Sequence, residues 1–281
     1  MNEVTINWHI IQKCNYKCNY CFAKYTKDEK KEIHESKQKI EVLLYRIYDF
    51  FNTKYKGYTI RLNIAGGEPS LSKNFDFIIQ KAYQIGFKVS IITNSSKLTT
   101  KFIESNAKYI SMFATSIDSI NDTTNIKIGR VHKDEILKVS KIIKNIELFK
   151  QLNYNIKIKI NTVVNANNYD EYLGDLIDLI QPNKWKVLQA LSITKEIYCT
   201  KNQFELFLNN HKSIKTNIYK ESNNDMVDSY IMIDPYGRFY QNSLVNYNYS
   251  DSILYIDVNS AFGQINFDID KFKNRYILGE R

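Results

Sequence analysis

Short apolar, β-branched runs recur along the chain, separated by longer stretches in which apolar residues return every three or four positions. Read by period, the short runs predict strands at 4–10, 58–64, 87–93, 109–115, 155–164 and 184–190. The longer stretches predict helices at 33–51, 75–85, 133–152 and 169–180, with a shorter one at 101–106. Six strand–helix units in series predict an α/β fold, a parallel sheet covered by helices, either open or curved into a partial (β/α)6 barrel. A helix near 203–210 and short strands near 230–233 and 238–240 then predict a C-terminal extension that caps the rest. Neither a repeat nor a Pro-, Gly- or Ser-rich linker separates the two parts. A core over 1–195 and an extension over 196–281 are therefore expected to form one structural domain.

Parallel strands covered on both faces normally read as continuous apolar runs, and several of these do not. Ile156, Ile158 and Ile160 alternate with Lys157, Lys159 and Asn161, and Lys184 and Lys186 alternate with Trp185 and Val187. Arg61 and Asn63 share one face of the second strand, as Asn7 and His9 share one face of the first. Any one of these strands could be an antiparallel edge with a wetted face. Several central strands with the same alternation point instead to a polar interior. Four cations, Arg61, Lys159, Lys184 and Lys186, would repel one another there unless an anion compensated them. A triphosphate suits them better than a monophosphate or a carboxylate, because each of its phosphates can accept a charge-assisted bond.

Composition excludes more than it assigns. The chain has 281 residues, 43% hydrophobic and 25% charged, which is ordinary for a globular protein and leaves ample chain for a core. No apolar stretch is long enough for a membrane span, and the first residues do not form a secretory signal, so a cytoplasmic, unanchored protein is expected. A net charge of +9 favours acidic partners, although the richness in Lys, Ile, Tyr and Asn reads partly as compositional background. Three of the four cysteines, Cys14, Cys18 and Cys21, lie within eight residues just after the first strand, while Cys199 stands alone. That spacing offers no disulfide framework and suggests a metal. Three thiolates can hold a 4Fe-4S cluster with one iron open, or a zinc ion completed by His9 or His34. His132 and His211 lie among polar residues and are expected at the surface.

CxxxCxxC followed by an aromatic, Phe22, resembles the signature of the radical SAM superfamily. Gly66-Gly67-Glu68-Pro69 after the second strand is similar to the superfamily's turn for the methionyl amino group of S-adenosylmethionine. Asn94 and Ser95 after the third strand, and Ser116 with Arg130 after the fourth, resemble its contacts to the cofactor's ribose and carboxylate. The same residues would also serve as ordinary turn and capping groups. The runs NWHIIQKCNYKCNYCF, RLNIAGGEPSL, ATSIDS with IGR, KINTVVN, NKWKVLQAL and ESNN with DSYIMID together resemble the viperin-like branch in order and spacing.

The resemblance implies a partial barrel, a 4Fe-4S cluster on Cys14, Cys18 and Cys21, S-adenosylmethionine and a nucleoside triphosphate substrate. It implies conversion to a 3'-deoxy-3',4'-didehydro nucleotide, an antiviral RNA chain terminator, with CTP the leading substrate and UTP or GTP the alternatives. Arg61, Lys159, Lys184 and Lys186 match its phosphate-facing cations. Asn7, Asn63 and Asn161 match pocket residues near the sugar, and Ser222, Asn223 and Tyr230 fall in the part that approaches the base. A flavodoxin- or ferredoxin-type electron donor is implied and no direct nucleic-acid binding is expected; the membrane-binding N-terminal helix of the animal members is not matched here, where thirteen residues precede Cys14, so no membrane association is expected. Ala65 in place of Ser before the Gly-Gly turn, and Asn224-Asp225 beside the base region, depart from the animal pattern. One alternative is a radical SAM enzyme acting on another nucleotide, an RNA or a peptide. Another, of a different class, is a zinc-stabilised nucleotide-binding module without catalysis.

Overall fold

The computed structural model describes residues 3–23, 31–133, 135–191, 198–242 and 247–277. Ten strands form one sheet in the order β10-β9-β8-β1-β2-β3-β4-β5-β6-β7. The six expected strands are β1 (Glu3–His9), β2 (Thr59–Ala65), β3 (Lys88–Thr93), β4 (Ile110–Ser116), β5 (Lys157–Val164) and β6 (Lys184–Gln189), each pairing in parallel with the next. A seventh parallel strand, β7 (Ile218–Glu221), extends the far edge beside β6. On the near edge β8 (Ile231–Ile233) pairs in parallel with β1, followed by antiparallel β9 (Arg238–Asn242) and β10 (Tyr247–Ser252). The C-terminal part thus lengthens the same sheet at both edges, and the expected boundary near 195 lies outside the described residues.

The outward sheet face carries the apolar half of each alternation. Ile158, Ile160, Trp185 and Val187 are buried, as are Trp8, Ile64 and Phe113. Helices α1 (Lys37–Lys54), α2 (Phe75–Ile85), α3 (Thr100–Asn106), α4 (Asp122–Lys127), α5 (Val139–Leu152), α6 (Gly174–Ile180) and α7 (Lys201–Asn210) lie between the strands in the chain. Phe51 of α1 and Phe149 of α5 are fully buried, and Phe149 stacks on Phe113 at 4.4 Å. The described residues include no helix long and apolar enough to cross a membrane.

Two expectations are corrected. The helix expected from 133 starts at Val139, because the segment before it is committed elsewhere: His132 and Glu135 form a bridge, and His132 Nδ1 lies 3.1 Å from the Asn15 carbonyl. His211, expected at the surface, is buried against Tyr172, Trp185 and Phe207. Its Nε2 accepts the Leu173 N–H at 2.8 Å, which leaves Nδ1–H to donate to the Phe207 carbonyl at 2.7 Å. The polar neighbours in sequence belong to the turn that ends α7, whereas the imidazole closes two backbone groups inside the core.

Candidate active site

Inside the curve of the sheet lies a cavity of about 370 Å³ lined from nine of the ten strands and from the cysteine loop. Its lining follows the period of two. β1 contributes Thr5, Asn7 and His9, β2 Arg61, Asn63 and Ala65, β5 Lys159, Asn161 and Val163, and β6 Lys184, Lys186 and Leu188. The polar alternation is therefore an interior face and not a wetted edge. Loops at the C-terminal strand ends supply Cys14, Cys18, Cys21, Phe22, Gly66, Gly67, Asn94 and Arg130, and the last residue of β4 supplies Ser116. One chamber thus joins a thiol-rich mouth to a cationic floor, and asparagines line the space between.

The mouth is built by close backbone contact. Gly67 N–H donates to Ile11 O at 2.7 Å and Glu68 N–H to Lys13 O at 2.9 Å, which seats the Gly-Gly turn against the loop. A Cβ on Gly67 would stand 2.4 Å from the carbonyl oxygens of Gln12 and Lys13, so no side chain fits. Across the loop, Lys17 N–H donates to Gly129 O at 3.2 Å and Asn19 N–H to Ile128 O at 3.2 Å. Gly129 has φ +76° and would place a Cβ 2.2 Å from Lys17 O. The two glycine sites clamp the cysteine loop from opposite sides.

Burial raises the Cys14 thiol and pushes Cys18 up to about 12, so these sulfurs stay protonated until a cation displaces the protons. Among the described residues no three His, Cys, Asp or Glu groups converge closely enough to hold a single metal ion. His34, the proposed fourth zinc ligand, is engaged instead with Ser72 Oγ at 3.0 Å and Glu32 at 2.9 Å. His9 lines the cavity, where burial lowers its pKa to about 3 and Tyr240 OH lies 3.1 Å from Nδ1. Three thiols on one loop facing the chamber suit a cluster in which each thiolate would take a different iron.

Not every predicted cofactor residue reaches the chamber. Glu68 is buried beneath it, accepting hydrogen bonds from Thr93 Oγ1 at 2.6 Å, Asn94 N–H at 2.8 Å and Ser70 N–H at 3.1 Å. Pro69 is buried in the following turn, and Ser95 Oγ pairs with Thr115 Oγ1 at 2.7 Å. These three shape the turn without lining the cavity. Arg130 does line it, donating to Ser116 O at 2.7 Å and pairing with Asp118 at 2.7 Å. Asp118 also accepts the Tyr20 hydroxyl and, at 2.7 Å, the Val163 N–H, so one carboxylate joins the cysteine loop to β5. Asp118 escaped sequence reasoning, because an acid in a loop after a strand reads as turn chemistry.

At the floor, the expectation that the cations have no internal counter-charge is corrected. Arg61 Nε and Nη2 donate to both oxygens of Glu3 at 2.7 and 3.0 Å, and Nη1 donates to Ser111 Oγ at 2.9 Å. Lys186 pairs with Glu221 at 2.7 Å and donates to Tyr230 OH at 2.6 Å, while Tyr230 donates to Glu221. Lys184 Nζ stands 3.8 Å from the Tyr219 ring centroid. Lys159, opposite Lys184 in the strand register, has neither a hydrogen bond nor an ion pair among the described residues. Its pKa is pushed well below the ordinary lysine value, first by burial, then by Lys186, Lys184 and Arg61, with Glu221 opposing.

Above the floor, Asn63 Nδ2 donates to Asn7 Oδ1 at 2.8 Å, and the buried Oδ1 of Asn161 has no partner among the described residues. Tyr230 lines the cavity, whereas Ser222 and Asn223 do not. Ser222 forms a capping box with Asp225, and Asn223 N–H donates to Gln189 Oε1 at 3.1 Å, so Asn223 adjoins the chamber through a lining residue while Ser222 stands behind it.

The model of the radical SAM superfamily matches residues 8–180. The chain is 39% identical to the S-adenosylmethionine-dependent nucleotide dehydratase of Psychrobacter lutiphocae, over 98% of this chain and 95% of that protein. It is 36% identical to the protein of the same name from Pseudoalteromonas ulvae, over 98% of this chain and 94% of that one. The structure of native anSMEcpe with bound AdoMet superposes on 99% of this chain and 84% of its own, with a TM-score of 0.69 and 16% identity, a likeness of fold. The clamped three-cysteine loop, the curved parallel sheet and these matches place the chain in the radical SAM superfamily, among the viperin-like S-adenosylmethionine-dependent nucleotide dehydratases.

Proposed function

We propose that this chain dehydrates a nucleoside triphosphate, CTP in the first instance, to its 3'-deoxy-3',4'-didehydro analogue, an antiviral chain terminator. The observation that carries the reading is the two-ended chamber, with thiols at one end and at the other four cations, two of them paired with carboxylates. A bound 4Fe-4S cluster and S-adenosylmethionine would supply the 5'-deoxyadenosyl radical that takes the ribose 4' hydrogen; loss of the 3' hydroxyl as water then needs one further electron and one proton. The chain's own part is placement. Cys14, Cys18 and Cys21 would hold the cluster, and the turn at Gly66 and Gly67, with Asn94, Ser116 and Arg130, would hold the cofactor beside it. Lys159, Lys184 and Lys186 would hold the triphosphate at the floor, with Arg61 stiffening that end through Glu3. Asn7, Asn63 and Asn161 would then face the sugar, and Tyr230 with the Gln189–Asn223 link would lie toward the base.

Anaerobic incubation of the reconstituted enzyme with S-adenosylmethionine, reductant and each triphosphate separately tests the reading by mass spectrometry. Substrate deuterated only at the 4' carbon is expected to give 5'-deoxyadenosine one mass unit heavier. Transfer from the 2' or 3' carbon instead would refute the dehydration and move the enzyme toward another nucleotide reaction.

A further inference from the structure

Two buried side-chain oxygens on residues that line the chamber have no partner among the described residues, Oδ1 of Asn161 and Oδ1 of Asn242. Asn161 belongs to the row of asparagines between the mouth and the floor. Asn242 stands apart from that row, as the last residue of β9, and is only 7% exposed. A buried acceptor left without a donor is costly and rare, so the position of Asn242 calls for a ligand that can donate.

The sheet register gives Asn242 its neighbours. β9 runs antiparallel to β8 with Met232 opposite Tyr240, so one period further along Tyr230 comes opposite Asn242. Gln241 Nε2 donates to the Tyr230 carbonyl at 2.6 Å, which ties the two segments at that point. β8 in turn lies beside β1, with Met232 opposite Asn7. Asn242, Tyr230, Met232 and Asn7 all line the chamber, and so does Met226, the last residue of the short helix α8 (Asn223–Met226). Both methionines are buried. The side of the chamber formed by α8, β8 and β9 therefore offers two thioethers, a phenol ring and a carboxamide.

Phosphate oxygens accept hydrogen bonds from the cations of the floor and have no proton to give, so a triphosphate cannot satisfy Asn242 Oδ1. Ribose hydroxyls can donate, and in the proposed function they face Asn7, Asn63 and Asn161. What remains of a nucleotide is its base, a flat ring suited to packing against thioethers and a phenol. Cytosine carries an amino group, a donor, where uracil carries a carbonyl oxygen, an acceptor. Opposite Oδ1 the first makes a hydrogen bond, and the second sets two acceptors against each other.

We propose that Asn242 is the specificity-determining residue for the base: its Oδ1 accepts the 4-amino group of cytosine, and on that contact the enzyme takes CTP over UTP. The inference rests on the nucleoside triphosphate reading of the chamber and adds to it the residue that chooses the base.

The test titrates CTP, UTP, GTP and inorganic tripolyphosphate calorimetrically into the reconstituted holoenzyme, with S-adenosylmethionine and no reductant, for the parent, Asn242→Leu and Asn242→Asp. The parent is expected to bind CTP at least about fivefold more tightly than UTP, the reach of one hydrogen bond. Leucine has a similar volume and accepts nothing, so CTP should weaken to within about twofold of UTP, with tripolyphosphate bound as in the parent. Aspartate keeps the acceptor and removes the Nδ2 donor that uracil could use if the amide turned over, so the ratio of CTP to UTP affinity should equal or exceed that of the parent. A leucine variant that keeps the parent ratio would overturn the proposal, as would an aspartate variant that prefers UTP or a parent that binds GTP more tightly than CTP. Loss of tripolyphosphate binding in the leucine variant would place Asn242 with the floor and not with the base, and would overturn it too. A parent that binds tripolyphosphate but no nucleotide more tightly would instead count against the proposed function itself.

Discussion

Replacing Lys159 by methionine should separate what the inner cations do for the substrate from what they do to the fold. Methionine keeps an unbranched, apolar stem and removes the charge. Lys159 is repelled by Lys186, Lys184 and Arg61, is favoured by Glu221, and makes no ion pair among the described residues. Its pKa is depressed in the folded protein, so between that value and the unfolded value of about 10.4 the unfolded chain binds more protons. Its penalty on folding is therefore full below the folded value and fades as pH rises toward the unfolded one. Exchanging even paired buried charges for apolar groups of similar volume is neutral or stabilises by up to about 4 kcal/mol, or roughly 2 °C in Tm per kcal/mol at this size, and an unpaired cation belongs at the stabilising end. Scanning calorimetry should find the ligand-free variant more stable than the parent at pH 7, with the gap narrowing toward pH 10. Triphosphate binding should move the other way, by about 2 to 5 kcal/mol, roughly thirtyfold to several thousandfold in Kd by isothermal titration. A variant that melts lower than the parent yet binds triphosphate as well would refute the assignment of Lys159 as an unneutralised substrate cation.

The cysteines and the inner carboxylate make separate predictions. Alanine at Cys14, Cys18 or Cys21 should abolish iron–sulfur absorbance and cofactor cleavage, whereas Cys199→Ala should keep its iron, because Cys199 is buried away from the chamber with its thiol toward Thr200 O. Loss of iron from the Cys199 variant would show the ligand set to be misassigned. Glu221→Gln leaves Lys186 without its buried counter-charge and should cost about 3 kcal/mol of stability in the ligand-free protein. Millimolar triphosphate should restore part of the melting temperature, and no restoration would mean that the pair does not face the phosphate site.

The parts of the site legible in the sequence are those encoded within one strand or one loop. A period of two needs no neighbour to be read, so Lys184 and Lys186 on one face and Trp185 and Val187 on the other could be assigned before the sheet was known, and the cavity lining follows that division. The cysteine spacing and the Gly-Gly turn were legible for the same reason. What could not be read is whatever pairs across strands distant in the chain. Glu3 meets Arg61 because β1 lies beside β2, and Glu221 meets Lys186 because a seventh strand of four residues adds beside β6. Neither carboxylate stands in a motif, and β7 is too short to announce itself by period.

That difference changes the argument about the substrate. Four cations with no internal anion would require a highly charged ligand merely to be tolerated, and the sequence alone supported that stronger inference. With Glu3 holding Arg61 and Glu221 holding Lys186, the floor has four cations against two carboxylates among the described residues, and Lys159 is left with neither a hydrogen bond nor an ion pair among them. A floor partly neutralised in this way can exist without ligand, and an incoming phosphate must then compete with Glu221 for Lys186. Selectivity for a triphosphate over a diphosphate would come from that competition: only a ligand with enough charge both to neutralise Lys159 and to displace Glu221 gains Lys186 as well. Glu221→Gln should accordingly narrow the ratio of triphosphate to diphosphate affinity by relaxing the discrimination against diphosphate, and an unchanged ratio would place selectivity elsewhere in the chamber.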